Sequence, residues 1–370
     1  MERITVRLGV QQRVLPAYRI PFFDALAIEC MQGMSLFAGQ PRREERIESN
    51  VIPQTAAYVY ARNLYFFRGA FYLCWQKGIL DWLKKWKPGA LIMETNPRYL
   101  SSYAAIRRMK RRNLPILGWG LGSPVRSGVL AAFRATLRRR FINQFDALIA
   151  YSRRGAEEFQ QLGYPSERIF IAPNATAMRP IHAAPQRPSF FQAEKPVVIF
   201  VGRLQARKKV DELIRACASL PADFQPLLHI VGDGPLRSEL EKLAEQVYPS
   251  TQFTGALHGR ELEMQMTKAD LFVLPGTGGL AVQQAMAFAL PVIVGEADGT
   301  QEDLVRAENG WCLTDNDIEE LTKTLREALG DITRLRSMGL ASYRIVKEEI
   351  NLENMVQIFI EAVNSVVEKR

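Results

Sequence analysis

Short apolar runs alternate with longer stretches of helical periodicity along nearly the whole chain. Val197–Val201, Leu271–Leu274 and Pro291–Val294 contain no polar residue, the pattern of strands covered on both faces. In the first half, residues 4–10, 34–38, 90–94, 115–119, 147–152 and 169–172 read as strands, and in the second half so do 227–231, 251–255 and 309–313. Helices are expected over 20–26, 103–112, 128–144, 154–162, 210–219, 236–247, 260–267, 280–290, 318–329, 332–348 and 352–368. Residues 11–18 read as a polar loop, and the aromatic-rich segment 64–86 as one or two amphipathic helices. Strict alternation of strand and helix predicts an α/β fold with parallel sheets covered on both sides.

Periodicity lapses at 173–195, where proline and small residues dominate, as in an interdomain linker. A chain of 370 residues is long enough for two domains. The expected division is 1–178, a linker at 179–195, and 196–349, with the terminal segment 350–370 packing back on the first domain.

Composition narrows the partner. A formal net charge of +9 suggests something anionic, whether nucleotide, phospholipid surface, acidic glycan or nucleic acid. A nucleic-acid partner is not expected, because the basic residues are not interleaved with aromatics in a recognised module. Cys30, Cys74, Cys217 and Cys312 are widely spaced with no CxxC, which indicates neither a zinc site nor a disulfide framework and fits a reducing compartment. The N-terminus lacks a signal-peptide core, and no apolar run reaches the ~18 residues of a membrane span. A cytoplasmic protein is expected, at most peripheral on the inner face of a membrane. The helix at 128–144 sets Arg134, Arg138, Arg139 and Arg140 beside Val129, Leu130, Phe133 and Leu137, which suits either anionic lipid or a solvated basic face.

Candidate chemistry lies at strand ends. Residues 269–305 form a strand, a loop Gly276-Thr277-Gly278-Gly279, a helix from Leu280 and a second strand. Such a unit either cradles a phosphate on backbone N–H groups and a helix N-terminus, or uses its glycines only to pack helix on strand. After Val201 come Gly202, Arg203, Arg207, Lys208 and Lys209, like charges that repel unless an anion sits among them. Glu94 ends a strand and is a candidate acid or base, or a solvated or capping carboxylate. Arg19 follows the first strand, where a loop would present it to a ligand or to solvent. Asp298, Glu302 and Asp303 form an acidic cluster, and Asp315-Asn316-Asp317 reads as a solvated loop rather than a metal site.

The second half resembles the donor half of a GT-B glycosyltransferase of the large retaining family numbered 4. VGRLQARKKVDELI, LHIVGDGPLRSELEKLA, TQFTGAL, ADLFVLPGTGGLAVQQAMAFALPVIV and NGWCL occur in the family's order. The first half matches only in its alternating pattern. The resemblance implies two Rossmann-like doubly wound parallel-sheet domains facing a central cleft. It implies transfer from a nucleotide-diphosphate sugar to a hydroxyl of a glycan or lipid-linked acceptor, without a metal or other cofactor and with retention. Arg203 and Lys208 would bind the diphosphate, with Gly202 admitting the backbone. Gly255, Ala256 and Leu257 would line the nucleobase pocket, and 277–280 would offer N–H groups. Arg19, Trp119, Gly120 and Asp298 would lie on the acceptor or sugar side. The family's paired glutamates are Gly276 and Gln284 here, and its histidine is missing near Trp119-Gly120. Glu94, Asp298, Glu302 or Asp303 would then substitute. Two alternatives stay open: a protein that binds a nucleotide sugar without transfer, and an epimerase of GT-B shape.

Overall fold

The structure, a computed structural model, describes residues 2–369 apart from 46, 48, 50, 68, 70, 71, 123–130, 192, 296–298 and 316. These residues form two compact units: unit 1, residues 1–176 with 352–370, and unit 2, residues 177–351.

Unit 1 holds eight strands: β1 Leu8–Val14, β2 Met34–Gly39, β3 Ala57–Phe66, β4 Leu73–Lys77, β5 Ala90–Glu94, β6 Ile116–Gly120, β7 Ala147–Ala150 and β8 Ile169–Ile171. Their spatial order is β4-β3-β2-β1-β5-β6-β7-β8. The order reverses between β1 and β5, so the ligand crevice of such a sheet opens at the C-terminal ends of these two strands.

Unit 1 departs from the sequence reading in three places. The first strand is Leu8–Val14 rather than 4–10, and Gln11 and Gln12 are buried within it rather than in a loop. They are tolerated there because both amides are bonded: Gln11 donates to the side chain of Gln76, and Gln12 donates to the Gln11 carbonyl. Residues 64–86 are not a helical pair. β3 and β4 pair antiparallel, with Leu64 opposite Trp75, Tyr65 opposite Cys74 and Phe66 opposite Leu73, and only Ile79–Trp86 is helical. Aromatic residues suit cross-strand pairs as well as helix stripes, and here the strand won. The sheet is therefore mixed rather than wholly parallel. The helix expected at 128–144 is seen as Ala131–Ile142, its start falling outside the described residues.

The core of unit 1 is aromatic. Phe37 stacks on Trp82 at 5.1 Å, and the Trp82 indole donates to Ser35 Oγ at 2.9 Å. The last helix, Leu352–Val367, inserts Phe359 between Phe22 (4.8 Å) and Trp119 (4.9 Å).

Unit 2 holds six parallel strands: β9 Val197–Val201, β10 Leu227–Val231, β11 Thr251–Gly255, β12 Leu271–Leu274, β13 Val292–Gly295 and β14 Gly310–Leu313. Their order is β11-β10-β9-β12-β13-β14, reversing between β9 and β12. Leu271–Leu274 and Val292–Val294 are fully buried, as apolar runs in a covered parallel sheet must be. Among the described residues no helix is long and apolar enough to cross a membrane.

Candidate functional site

The glycine-lined segments flagged in the sequence leave β9 and β12, the two strands at the reversal point of the six-stranded sheet. Beyond β9 the chain makes a single helical turn, Ala206–Lys208, before the helix Val210–Ser219. Beyond β12, residues 275–279 lead into the helix Leu280–Ala287, capped by Gly279. These loops are laced together. Thr277 N–H donates to the Arg207 carbonyl at 3.0 Å, and the Arg207 guanidinium donates to Thr277 Oγ1 at 3.1 Å. Lys208 Nζ donates to the Thr277 carbonyl at 2.5 Å.

Two glycines make this approach possible. A Cβ on Gly276 would collide with the Arg207 carbonyl and the Lys208 backbone. Gly278 has φ +134°, and a Cβ there would strike the Lys208 ammonium.

Lys208 is only 8% exposed, and burial, aided by the nearby Arg207 charge, pulls its pKa down to about 8. Arg207 beside it is exposed, and so is Arg203, two residues beyond β9. Among the described residues none of Arg203, Arg207 and Lys208 pairs with a carboxylate, whereas Lys209 does, with Glu212 at 3.0 Å. Arg207 and Lys208 beside a helix N-terminus, with Arg203 earlier on the same loop, are an arrangement that can accept an anion.

The other candidates of unit 2 spread around this pair of loops. Gly202 lies against Lys208, its Cβ position 3.7 Å from Cε. Gly255 is buried at the end of β11, with Ala256 exposed and Leu257 half-buried after it. β11 is separated from β9 by β10, so these residues border the crevice rather than its centre. Leu280 and Gln284 are half-buried on the helix that follows the loop. The adjacent Gln283 is wholly buried and structural, accepting from Ala177 N–H (3.0 Å) and donating to the Ile350 carbonyl (2.6 Å). Asp298 and Asn316 lie outside the described residues. Two contributors escaped the sequence reading. Arg207 was one of four cations with nothing to single it out, and Gln301, buried in the 298–303 cluster, donates to the Gly276 carbonyl at 3.1 Å.

In unit 1, Glu94 ends β5 and accepts the backbone N–H of Arg13. Its strand-end position is partly exposed, yet enough protein surrounds the carboxyl that burial pushes it up to about 7. The Arg13 N–H and the Arg13 and Arg19 charges pull the other way. Arg19 is 5% exposed and lies over Trp119 (4.7 Å) and Tyr151 (4.9 Å). Trp119 is itself 1% exposed, packed on Phe22, Phe23 and Phe359, so it supports Arg19 from the core instead of facing a ligand. Gly120 is half-buried, and a Cβ there would collide with Thr95 Oγ1. Arg13 was missed because the first strand was read too early. It bonds Glu45 at 2.8 Å, Tyr65 OH at 2.9 Å and Tyr99 OH at 3.1 Å beside Glu94.

Comparison with known proteins agrees with this architecture. Residues 6–175 match the glycosyl transferase 4-like domain and residues 184–344 match the family glycosyl transferases group 1. A sulfoquinovosyl transferase of Arabidopsis thaliana is 33% identical over 157 residues, which are 41% of this chain and 30% of that protein. A GDP-mannose-dependent alpha-(1-6)-phosphatidylinositol monomannoside mannosyltransferase of Mycolicibacterium smegmatis is 29% identical over 224 residues, 56% of this chain and 59% of that protein. The matches thus span less than two thirds of these relatives. Among solved structures, Anabaena HepE with UDP superposes with TM-score 0.71 at 16% identity, covering 97% of this chain and 99% of that one. Sucrose-phosphate synthase of Thermosynechococcus elongatus does so with TM-score 0.71 at 18% identity, covering 98% and 100%. Residues 6–175 thus match a glycosyl transferase 4-like domain and residues 184–344 a glycosyl transferases group 1 domain, and the chain as a whole has the GT-B fold.

Proposed function

We propose that the chain transfers a sugar from a nucleotide-diphosphate donor to a hydroxyl of a glycan or lipid-linked acceptor, in making a cell-surface polysaccharide or glycolipid. The observation that carries this reading is that Arg203, Arg207 and Lys208, on the loop after β9 that is laced to the loop after β12, have no carboxylate partner among the described residues. In the reaction the bond from the anomeric carbon to the phosphate oxygen breaks. The nucleoside diphosphate leaves with the electron pair, and the acceptor oxygen bonds to the anomeric carbon as it gives up its proton. The charge that grows on the leaving group is what the site must stabilise, and Lys208, the two arginines and the helix start can do so without a metal. Retention of configuration is expected from the family resemblance. The relatives named above use GDP-mannose or transfer sulfoquinovose, and HepE was solved with UDP, so guanine and uracil donors are the first to try. Release of nucleoside diphosphate, dependent on an added acceptor and unchanged in EDTA, is the expected assay result. Donor binding without any release would favour the non-transferring reading, which the lack of a side chain at Gly276 supports.

Glu94 is the unit 1 group suited to take the acceptor's proton, since at pKa about 7 it ionises near neutrality. It is protonated below that value and a base above it, whereas Lys208 is charged only below about 8. A plot of kcat/KM against pH is therefore expected to be bell-shaped, rising through about 7 and falling through about 8. Glu94→Gln should lower the rate and abolish the acid limb. An unchanged acid limb in that variant would remove Glu94 from the reaction.

Gly276 occupies the place of a glutamate in the resembling family, but restoring the carboxylate should not restore chemistry. Its Cβ has no room beside the Arg207 carbonyl. Gly276→Glu is expected to cost about 1–3 kcal/mol through overpacking, seen as a lower melting temperature with no gain in turnover.

A further inference from the structure

The basic excess of the chain lies wholly in unit 1. Unit 1 contains 29 lysines and arginines against 15 aspartates and glutamates, whereas unit 2 contains 19 against 24. The diphosphate site of unit 2 therefore does not account for the net charge. The surplus is densest on two neighbouring helices, Leu100–Lys110 and Ala131–Ile142, with Arg111 and Arg112 just after the first.

Between these helices runs a cavity of about 670 Å³. Its floor is apolar, with the buried Ile106 and Phe141, the exposed Leu137 also lines it, and its rim is basic, with the exposed Arg107, Arg111 and Arg140. Among the described residues no carboxylate lines it, and none of these three arginines pairs with one. From Leu137 the apolar surface continues beyond the cavity to Phe133. Phe133, one turn before Leu137 on the same helix face, is 62% exposed, and Leu137 is 45% exposed. Large apolar side chains left in water beside a ring of cations need a partner that is anionic outside and apolar beneath.

We propose that this groove docks unit 1 on an anionic phospholipid bilayer, with headgroup phosphates on the arginine rim and acyl-chain carbons against Leu137, Phe133 and the floor. A volume of this size accepts part of one lipid. Nucleic acid would meet the rim but leave the floor and Phe133 in water, so it fits less well. With no spanning helix among the described residues, the contact would be peripheral. This inference is independent of the transferase reading, and its test does not use activity.

The test is co-sedimentation of the full chain with phosphatidylcholine vesicles, with and without a third of phosphatidylglycerol. Binding is expected only with phosphatidylglycerol, weakening as salt rises. Each basic residue near an anionic surface contributes about fivefold, so Arg107→Glu, Arg111→Glu and Arg140→Glu together should weaken partitioning by roughly 100-fold or more. A circular-dichroism spectrum and melting temperature like the parent's show that the triple variant is folded. In a second variant, Leu137→Trp, indole fluorescence should be quenched by lipids brominated on the acyl chain. Equal binding by the triple variant, absence of quenching, or binding to a DNA duplex in place of vesicles would each overturn the proposal.

Discussion

Replacing Lys208 by methionine is expected to lower turnover by about 100-fold or more, the usual cost of removing one preorganised donor from a developing charge. The ammonium is buried, so its interaction with a leaving diphosphate is little screened. Its depressed pKa shows that, without an anion, the charged form is disfavoured where it lies. Folded-state pKa below the unfolded value means that the ammonium opposes folding at neutral pH, an effect that fades as pH rises above about 8. Methionine keeps the hydrocarbon stem and removes that charge, so the free variant should melt no lower than the parent. Lost turnover with retained stability would separate a ligand role from a structural one. Arg203→Ala alone should cost less, because Arg203 is exposed. Near-normal turnover in an Arg203→Ala, Lys208→Ala double variant would remove the diphosphate clamp from the account.

The largest stability effect is expected at Asp270, which begins the turn into β12. Its carboxylate accepts Val197 N–H at 2.9 Å and Arg336 at 2.7 Å, joining the starts of β9 and β12 to the helix Ile332–Glu348. Asp270 and Val197 are buried and Arg336 nearly so, and Arg187 lies close by, its pKa brought down to about 10 by burial and then by Arg336. Asp270→Ala leaves the largely buried Arg336 guanidinium without its carboxylate and removes the negative charge near Arg187, a change that costs about 3–5 kcal/mol. Since each kcal/mol shifts a unit of this size by about 2–4 °C, the melting temperature of unit 2 should fall by roughly 10 °C. A shift within a degree or two would show that the pair contributes little. These strands carry the phosphate loops at their other ends, so donor binding should weaken in parallel.

The legible parts of this chain were those where one physical requirement dominates. Val197–Val201 and Leu271–Leu274 read as covered parallel strands and are so, and the glycines after them, read as either a phosphate cradle or a packing device, do admit a close backbone approach. Position 276 illustrates what sequence alone leaves out. It read as a lost glutamate, but the structure shows the Arg207 carbonyl occupying the space any side chain would need. The hairpin of β3 and β4 was read as helix because aromatic residues satisfy either periodicity, and long-range pairing with β2 decided the matter. The buried glutamines of β1 looked like loop because their partner, Gln76, is distant in sequence. That error hid Arg13, whose N–H and charge partly offset the burial that raises the Glu94 pKa. Arg19 was placed correctly after the first strand, but its aromatic bed of Trp119 and Tyr151 depends on three separate strand ends.

The central claim is that the loops after β9 and β12 hold a diphosphate. Calorimetric titration with UDP and GDP, in EDTA, tests it most directly on the parent chain and on Lys208→Met. At least one nucleotide is expected to bind the parent without metal, to bind the variant at least tenfold more weakly, and to bind the parent less tightly as pH rises past about 8. Equal affinity in parent and variant, or no binding of any nucleoside diphosphate, would contradict the account.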